Sequence, residues 1–161
     1  MISRSSNVRA VIALTGLLLA GEGAAAQALD TCSDSDPGQV RLKVEVRGMR
    51  DTKGNITITI YPDDAAHFLD GKWKVARQTL QVSLPVTRAC FALPAPGNYA
   101  VAMQHDENGN GRFDTTTFGI PAEGWGFSRD PKLYFGPPKL DQVRIPLHAG
   151  DNPVAVQMKY W

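Results

Sequence analysis

From Gln39 onward apolar and polar residues alternate with period two, the pattern of strands with one buried and one solvated face. Leu42, Val44 and Val46 alternate with Lys43, Glu45 and Arg47, and Ile56, Ile58 and Ile60 alternate with Thr57 and Thr59. Between them Asp51-Thr52-Lys53-Gly54-Asn55 has the composition of a hairpin turn, so these two strands are expected to pair antiparallel. Leu80, Val82 and Leu84 predict a third strand, and Cys90 to Leu93 a fourth. Tyr99, Val101 and Met103 predict a fifth, beyond Pro94-Ala95-Pro96-Gly97-Asn98. Val143, Ile145 and Leu147 predict a sixth, placed at an edge by Pro146. Ala149-Gly150-Asp151-Asn152 then turns the chain into Val154, Val156, Met158 and Tyr160. The one helical candidate is short, Asp63 to Leu69, with Asp63 or Asp64 able to cap it.

About seven short strands and no helix of useful length predict an all-β fold: a two-sheet antiparallel sandwich, immunoglobulin-like or transthyretin-like, with one long irregular loop. The sandwich is expected to occupy 39–161 as a single domain, after an N-terminal segment at 29–38. The loop runs from Asp106 to Lys139, is rich in Gly and Pro, and shows no alternation. A compact domain rarely carries so long an irregular connection without a function or an added constraint.

Residues 1–28 read differently. Arg4 and Arg9 precede the apolar run Ala10 to Ala20, and Gly23, Ala24, Ala25, Ala26 and Ala28 come after it, the order of a cleaved secretory signal peptide. Small-x-small triplets place cleavage after Ala26 or Ala28. Thr15, Gly16, Gly21 and Glu22 keep the run below the roughly 20 apolar residues of a membrane span, so no stable membrane insertion is expected. The expected location is periplasmic or secreted. Cys32 and Cys90 are the two cysteines, and in an oxidising compartment an even pair is expected to be bridged. The net charge is +1, which offers no basic field for nucleic acid.

The irregular loop opens with chemistry. Asp106, Asn108, Asn110 and Asp114 fall at positions 1, 3, 5 and 9 of a D-x-[DN]-x-[DN]-G calcium loop, with Gly111 at position 6 and the carbonyl of Arg112 at position 7. Alternate side chains of a tightly curled segment converge, and oxygens alone suit a hard cation. Position 12 is Thr117 rather than a bidentate glutamate, so the loop is not an EF-hand. Two carboxylates predict weak structural calcium binding, of order 10⁻⁴–10⁻³ M, unless another acid such as Glu123 folds over the ion. The alternative is that Asn108-Gly109 and Asn110-Gly111 are turn residues, with Asp106 and Asp114 capping backbone amides. Magnesium suits such a cage less well, and the separated His67, His105 and His148 do not form a zinc motif.

The run Leu93 to Met103, leading into His105-Asp106-Glu107-Asn108-Gly109-Asn110-Gly111 and then Phe118-Gly119-Ile120-Pro121-Ala122-Glu123-Gly124-Trp125-Gly126-Phe127-Ser128, resembles the bacterial domain-of-unknown-function family 2141. The resemblance extends from about Gln39 to Tyr160 and implies an exported bacterial β-sandwich with no established activity to carry over. Pro96, and Arg129 where the pattern often continues with Asn, depart from it without touching the proposed ligands.

No catalytic constellation stands out. Ser128 lies outside a Gly-x-Ser-x-Gly elbow, and His105 and Asp106, adjacent on a strand, point to opposite faces. The expected function is that of a non-catalytic exported module in binding or envelope organisation, its partner an envelope protein or glycan. An alternative is a carbohydrate- or peptide-recognition domain using the loop aromatics Trp73, Trp125, Phe127, Tyr134 and Phe135, rings equally suited to plugging the ends of the sandwich. An envelope hydrolase built on Asp106, Asp114 or Glu123 ranks last.

Overall fold

Rows of Val, Leu and Ile at every second position commit strands from two directions to one interior. The computed structural model describes Cys32, Asp36 and residues 38–134 and 136–161. The expected leader at 1–28 lies outside the described residues. The strands are β1 (Val40–Arg47), β2 (Asn55–Pro62), β3 (Ala76–Gln81), β4 (Val86–Leu93), β5 (Gly97–Asp106), β6 (Gly124–Phe127), β7 (Ile145–Leu147) and β8 (Gly150–Gln157), with a short α-helix, α1 (Leu140–Val143). They form a three-stranded sheet in the order β4-β1-β8 and a larger sheet in the order β3-β2-β5-β6, with β7 beside the start of β5. Leu42, Val44 and Val46 from the small sheet share one buried core with Ile56, Ile58, Ile60, Val101 and Met103 from the large one. The expected sandwich is therefore present. Among the described residues, no helix is long and apolar enough to cross a membrane.

Six details differ from the pattern reading. β1 and β2 do not pair: β1 pairs with β4 and β8, and β2 with β3 and β5. Alternation marks which face is buried, and that face is the same whether two strands share a sheet or oppose each other across a core. The segment Gly48–Gly54 is a crossing between sheets, and a Cβ on Gly54, whose φ is +59°, would stand 1.9 Å from the Asp106 carbonyl oxygen. Pairing is antiparallel except in β1–β8, which runs parallel with Val44 opposite Val154.

The third strand lies earlier than expected and ends at Gln81, leaving Leu84 half exposed. Asp63–Leu69 forms successive turns instead of a helix. Val143 belongs to α1, so the next strand is only the three residues of β7. Finally, the long irregular stretch contains β6. Its inward positions are Gly124 and Gly126, so it has no inward apolar row for a periodicity reading to detect. A Cβ on Gly124 would come within 2.3 Å of the Tyr160 ring. That close approach lets the chain beyond β8 cross to the large sheet, where Trp125 and Lys159 exchange backbone hydrogen bonds of 3.0 and 2.8 Å.

The expected disulfide is present between Cys32 and Cys90, tying the N-terminal segment to β4 across a separation of 58 residues. Closing a loop of that size restricts the unfolded chain by about 4 kcal/mol on the chain-entropy model. The Cys32→Ser/Cys90→Ser variant should lose about 2–4 kcal/mol in urea unfolding relative to the oxidised protein. Reducing agent should lower the stability of the parent and leave the variant unmoved.

Candidate functional site

β5 delivers the loop. In alternation along its last residues, His105 points into the core, fully buried, while Gln104 and Asp106 belong to the outward row. Asp106 then organises the curl. Its Oδ1 accepts from the backbone N–H of Gly109 and Asn110 at 2.8 and 3.1 Å, and its Oδ2 from Gly111 at 2.7 Å. Asn108 Oδ1 accepts from Asn110 N–H, and Asn110 Oδ1 from Arg112 N–H. Gly109 and Gly111 take φ of +72° and +74°, the left-handed conformation that this curl needs. The turn-and-cap alternative thus describes real hydrogen bonds, but they do not exhaust the oxygens.

Asn108 and Asn110 both donate their side-chain N–H to Asp114 Oδ2, each at 2.7 Å, which draws positions 3, 5 and 9 together. From the other side Glu123 is folded in against the loop. Its Oε2 accepts from Gln104 Nε2 at 3.0 Å and from Asp114 N–H at 3.2 Å, and the same Gln104 nitrogen donates to the Arg112 carbonyl. Glu123 is 4% exposed, and its second oxygen, Oε1, is buried without a hydrogen-bond partner. All five proposed positions and the supplementary Glu123 are therefore linked in one hydrogen-bonded set. Each oxygen has two acceptor directions. Asp106 Oδ2, Asn108 Oδ1, Asn110 Oδ1 and the Arg112 carbonyl each keep one free, and Asp114 Oδ1 and Glu123 Oε1 keep both.

Burial pushes the Glu123 carboxyl above its ordinary pKa, and the nearby Asp106 and Asp114 charges add to that shift. The physical cause is the removal of a carboxylate from water with no compensating cation. Among the described residues the tightest group of potential ligands lies elsewhere, where ligand atoms of Asp51, His105 and Glu107 fall within 4.8 Å of one another. That group is already satisfied. His105 Nε2 must donate to the Lys53 carbonyl at 2.8 Å, leaving Nδ1 to accept from the Tyr160 hydroxyl at 2.6 Å, so neither ring nitrogen offers a lone pair. Glu107 is clamped by both arms of the Arg50 guanidinium. The carboxylates around the 106–114 loop are less tightly gathered.

Beside the loop, the outer face of the large sheet is a cleft of about 810 Å³. The expected aromatics divide between two places. Trp125, Phe127 and Tyr134 all line the cleft, whereas Trp73 sits apart, stacked on His67 at 3.9 Å. Phe135 lies outside the described residues. Tyr61, Phe113 from the loop and Trp161 complete the aromatic lining and were missed by the motif reading. The outward Thr57, Thr59, Arg77, Thr79 and Gln104, which form the floor, were missed as well. Their signal was the polar half of the very alternation that identified the strands. Ser128 is spent on structure. Its buried hydroxyl accepts from Val101 N–H at 3.0 Å and donates to the Val143 carbonyl, fastening α1 to β5.

The chain belongs to the family described as an uncharacterized protein conserved in bacteria (DUF2141), whose model matches residues 44–155. No curated protein and no solved structure matches it.

Glu123 fixes the sign of a pH effect. Its folded pKa lies above the unfolded one, so the folded state holds the proton longer. Ionising it costs stability as pH rises through the interval from the ordinary carboxyl value to the raised one. In EDTA, Glu123→Gln should therefore melt higher than the parent at neutral pH, and should lose this component of the fall in stability as pH rises above the ordinary carboxyl range. A variant that melts lower than the parent throughout would contradict the uncompensated-charge account.

Proposed function

We propose that this protein is an exported, non-catalytic binding module of the bacterial envelope whose 106–114 loop takes up a calcium ion as a structural element. Glu123 carries the reading: a nearly fully buried carboxylate with one oxygen unpartnered, held against a curl that still has five other oxygens with free acceptor directions. A hard cation resolves that arrangement, since calcium takes 6–8 oxygens in flexible geometry and tolerates backbone carbonyls and amide oxygens together. With Glu123 added, the loop would supply three carboxylates, which strengthens the electrostatic case beyond the two of the loop alone.

Export is supported by the charged, apolar and small-residue order of 1–28, and by the Cys32–Cys90 bridge, which belongs to oxidising compartments. A non-catalytic role is supported by the way the obvious nucleophiles and bases are committed. Both cysteines are bridged, Ser128 holds α1, and both nitrogens of His105 are engaged within the fold. The partner class is an envelope protein or glycan.

Calcium titration followed by thermal unfolding tests the loop. For a dissociation constant of about 10⁻⁴ M, 10 mM calcium stabilises the native state by about 2.7 kcal/mol, raising Tm by on the order of 10 °C. Asp106→Ala/Asp114→Ala should abolish that rise, and Glu123→Gln should reduce it despite its greater stability in EDTA. An equal calcium response in the parent and the Asp106→Ala/Asp114→Ala variant refutes the site.

A further inference from the structure

The strand register lays out the floor of the cleft as two rows running across four strands. Thr79 of β3 lies opposite Thr57 of β2, which lies opposite Gln104 of β5, which lies opposite Trp125 of β6. In the next row Arg77 lies opposite Thr59, Thr59 opposite Ala102, and Ala102 opposite Phe127. Each row is therefore polar on the β3–β2 side and aromatic at β6. The polar side is hydroxyl-rich and partly pre-organised: Thr57 and Thr79 share a hydrogen bond of 3.0 Å, and Arg77 Nε donates to Thr59 Oγ1 at 2.9 Å. Each threonine oxygen retains capacity beyond those bonds. On the aromatic side the Trp125 indole N–H is buried without an acceptor, so that side offers the ligand ring surface rather than a donor, and the Trp125 and Phe127 rings lie 6.1 Å apart at 47°.

We infer that this cleft binds a short neutral saccharide segment, with ring faces against Trp125 and the neighbouring aromatics and hydroxyl edges on the Thr57/Thr79/Gln104 floor. The chemistry selects this ligand over its competitors. An acyl chain would strip water from the threonine hydroxyls and the Gln104 amide without replacing their hydrogen bonds, at about 1–3 kcal/mol for each orphaned group. An extended peptide gains affinity by adding to a sheet edge, whereas this cleft lies on the face of the sheet, whose central floor strands β2 and β5 are paired on both sides. An anion would find a single cation, Arg77, with its Nε spent on Thr59, and would meet the opposing charge of Asp106 at the loop end of the same face. A pyranose matches both halves at once, since one face is C–H and its rim is hydroxyl. The volume lies within the roughly 300–1,000 Å³ usual for small-ligand sites.

Saccharide binding goes beyond calcium uptake and can fail separately from it, because the floor rows are made by strands and not by the loop. The test is calorimetric titration of the full exported chain with chitotetraose, cellotetraose and maltotetraose, each in calcium and in EDTA. Amide and indole NMR shifts supply a second readout. At least one tetrasaccharide should bind saturably, shifting Thr57, Gln104 and the Trp125 indole. Trp125→Ala should weaken that binding at least about tenfold. Thr57→Val/Thr79→Val, which preserves side-chain shape, should weaken it as well and guards against a Trp125 variant that fails to fold. Trp73→Ala should bind like the parent. Failure of all three tetrasaccharides to saturate overturns the inference. So does binding indifferent to Trp125 and to the threonine pair, or occupation of the cleft by decyl maltoside through its alkyl chain or by a neutral tetrapeptide instead. Retained calcium stabilisation alongside any of these outcomes would leave the loop assignment standing.

Discussion

The two-faced character of β5 is the constraint on which the rest depends. Pleating sends Tyr99, Val101, Met103 and His105 into the core and presents Ala100, Ala102, Gln104 and Asp106 on the other side. That second row changes character along the strand. Ala100 is buried beneath a small second core with Leu140 and Val143 of α1, Ala102 is small enough to leave a hollow, Gln104 ties the sheet to the loop, and Asp106 nucleates the loop itself. One strand thus anchors the sandwich, floors the cleft and launches the oxygen-rich curl. A shift of register by one residue would exchange all three assignments, which is why the buried His105 and its two hydrogen bonds matter to a site it never touches.

The segment Glu123-Gly124-Trp125-Gly126-Phe127-Ser128 concentrates the same logic in six residues. Glu123 turns to the loop, Gly124 and Gly126 let Tyr160 and Met158 pack against bare backbone, Trp125 and Phe127 wall the cleft, and Ser128 secures α1. Arg129 sits at φ +66°, a left-handed conformation uncommon for residues other than glycine. Its guanidinium donates to the Asp141 carbonyl at 2.9 Å.

The legibility of each feature in the sequence depends on the quantity its signal measures. Period-two patterning reports a buried face, so it located strands built on Val40–Val46, Ile56–Ile60 and Tyr99–Met103, but it could not say which strand is whose neighbour. It failed at β6 because the inward residues there are glycine, whose contribution to packing is the absence of a side chain. The loop spacing was legible because calcium-type curls are local, with every proposed ligand but one within nine residues. The cleft was not, because its floor is assembled by cross-strand register among β3, β2, β5 and β6, and its polar members resemble ordinary solvated strand faces until the walls are in place.

The loop and the cleft also bear on each other energetically. Asp106 and Asp114 raise the cost of ionising Glu123, and Glu123 in turn holds the Asp114 backbone and, through Gln104, the floor of the cleft. Without a cation, the charge repulsion among the three acids opposes the hydrogen bonds that draw the loop against the sheet. With one, the sign of that electrostatic contribution reverses while the hydrogen bonds need not change. A cation would therefore act less by creating a new structure than by removing the repulsion that opposes the existing one. Because Phe113 on the loop and Gln104 on the floor both line the cleft, the wall and the floor would be stiffened by the same event.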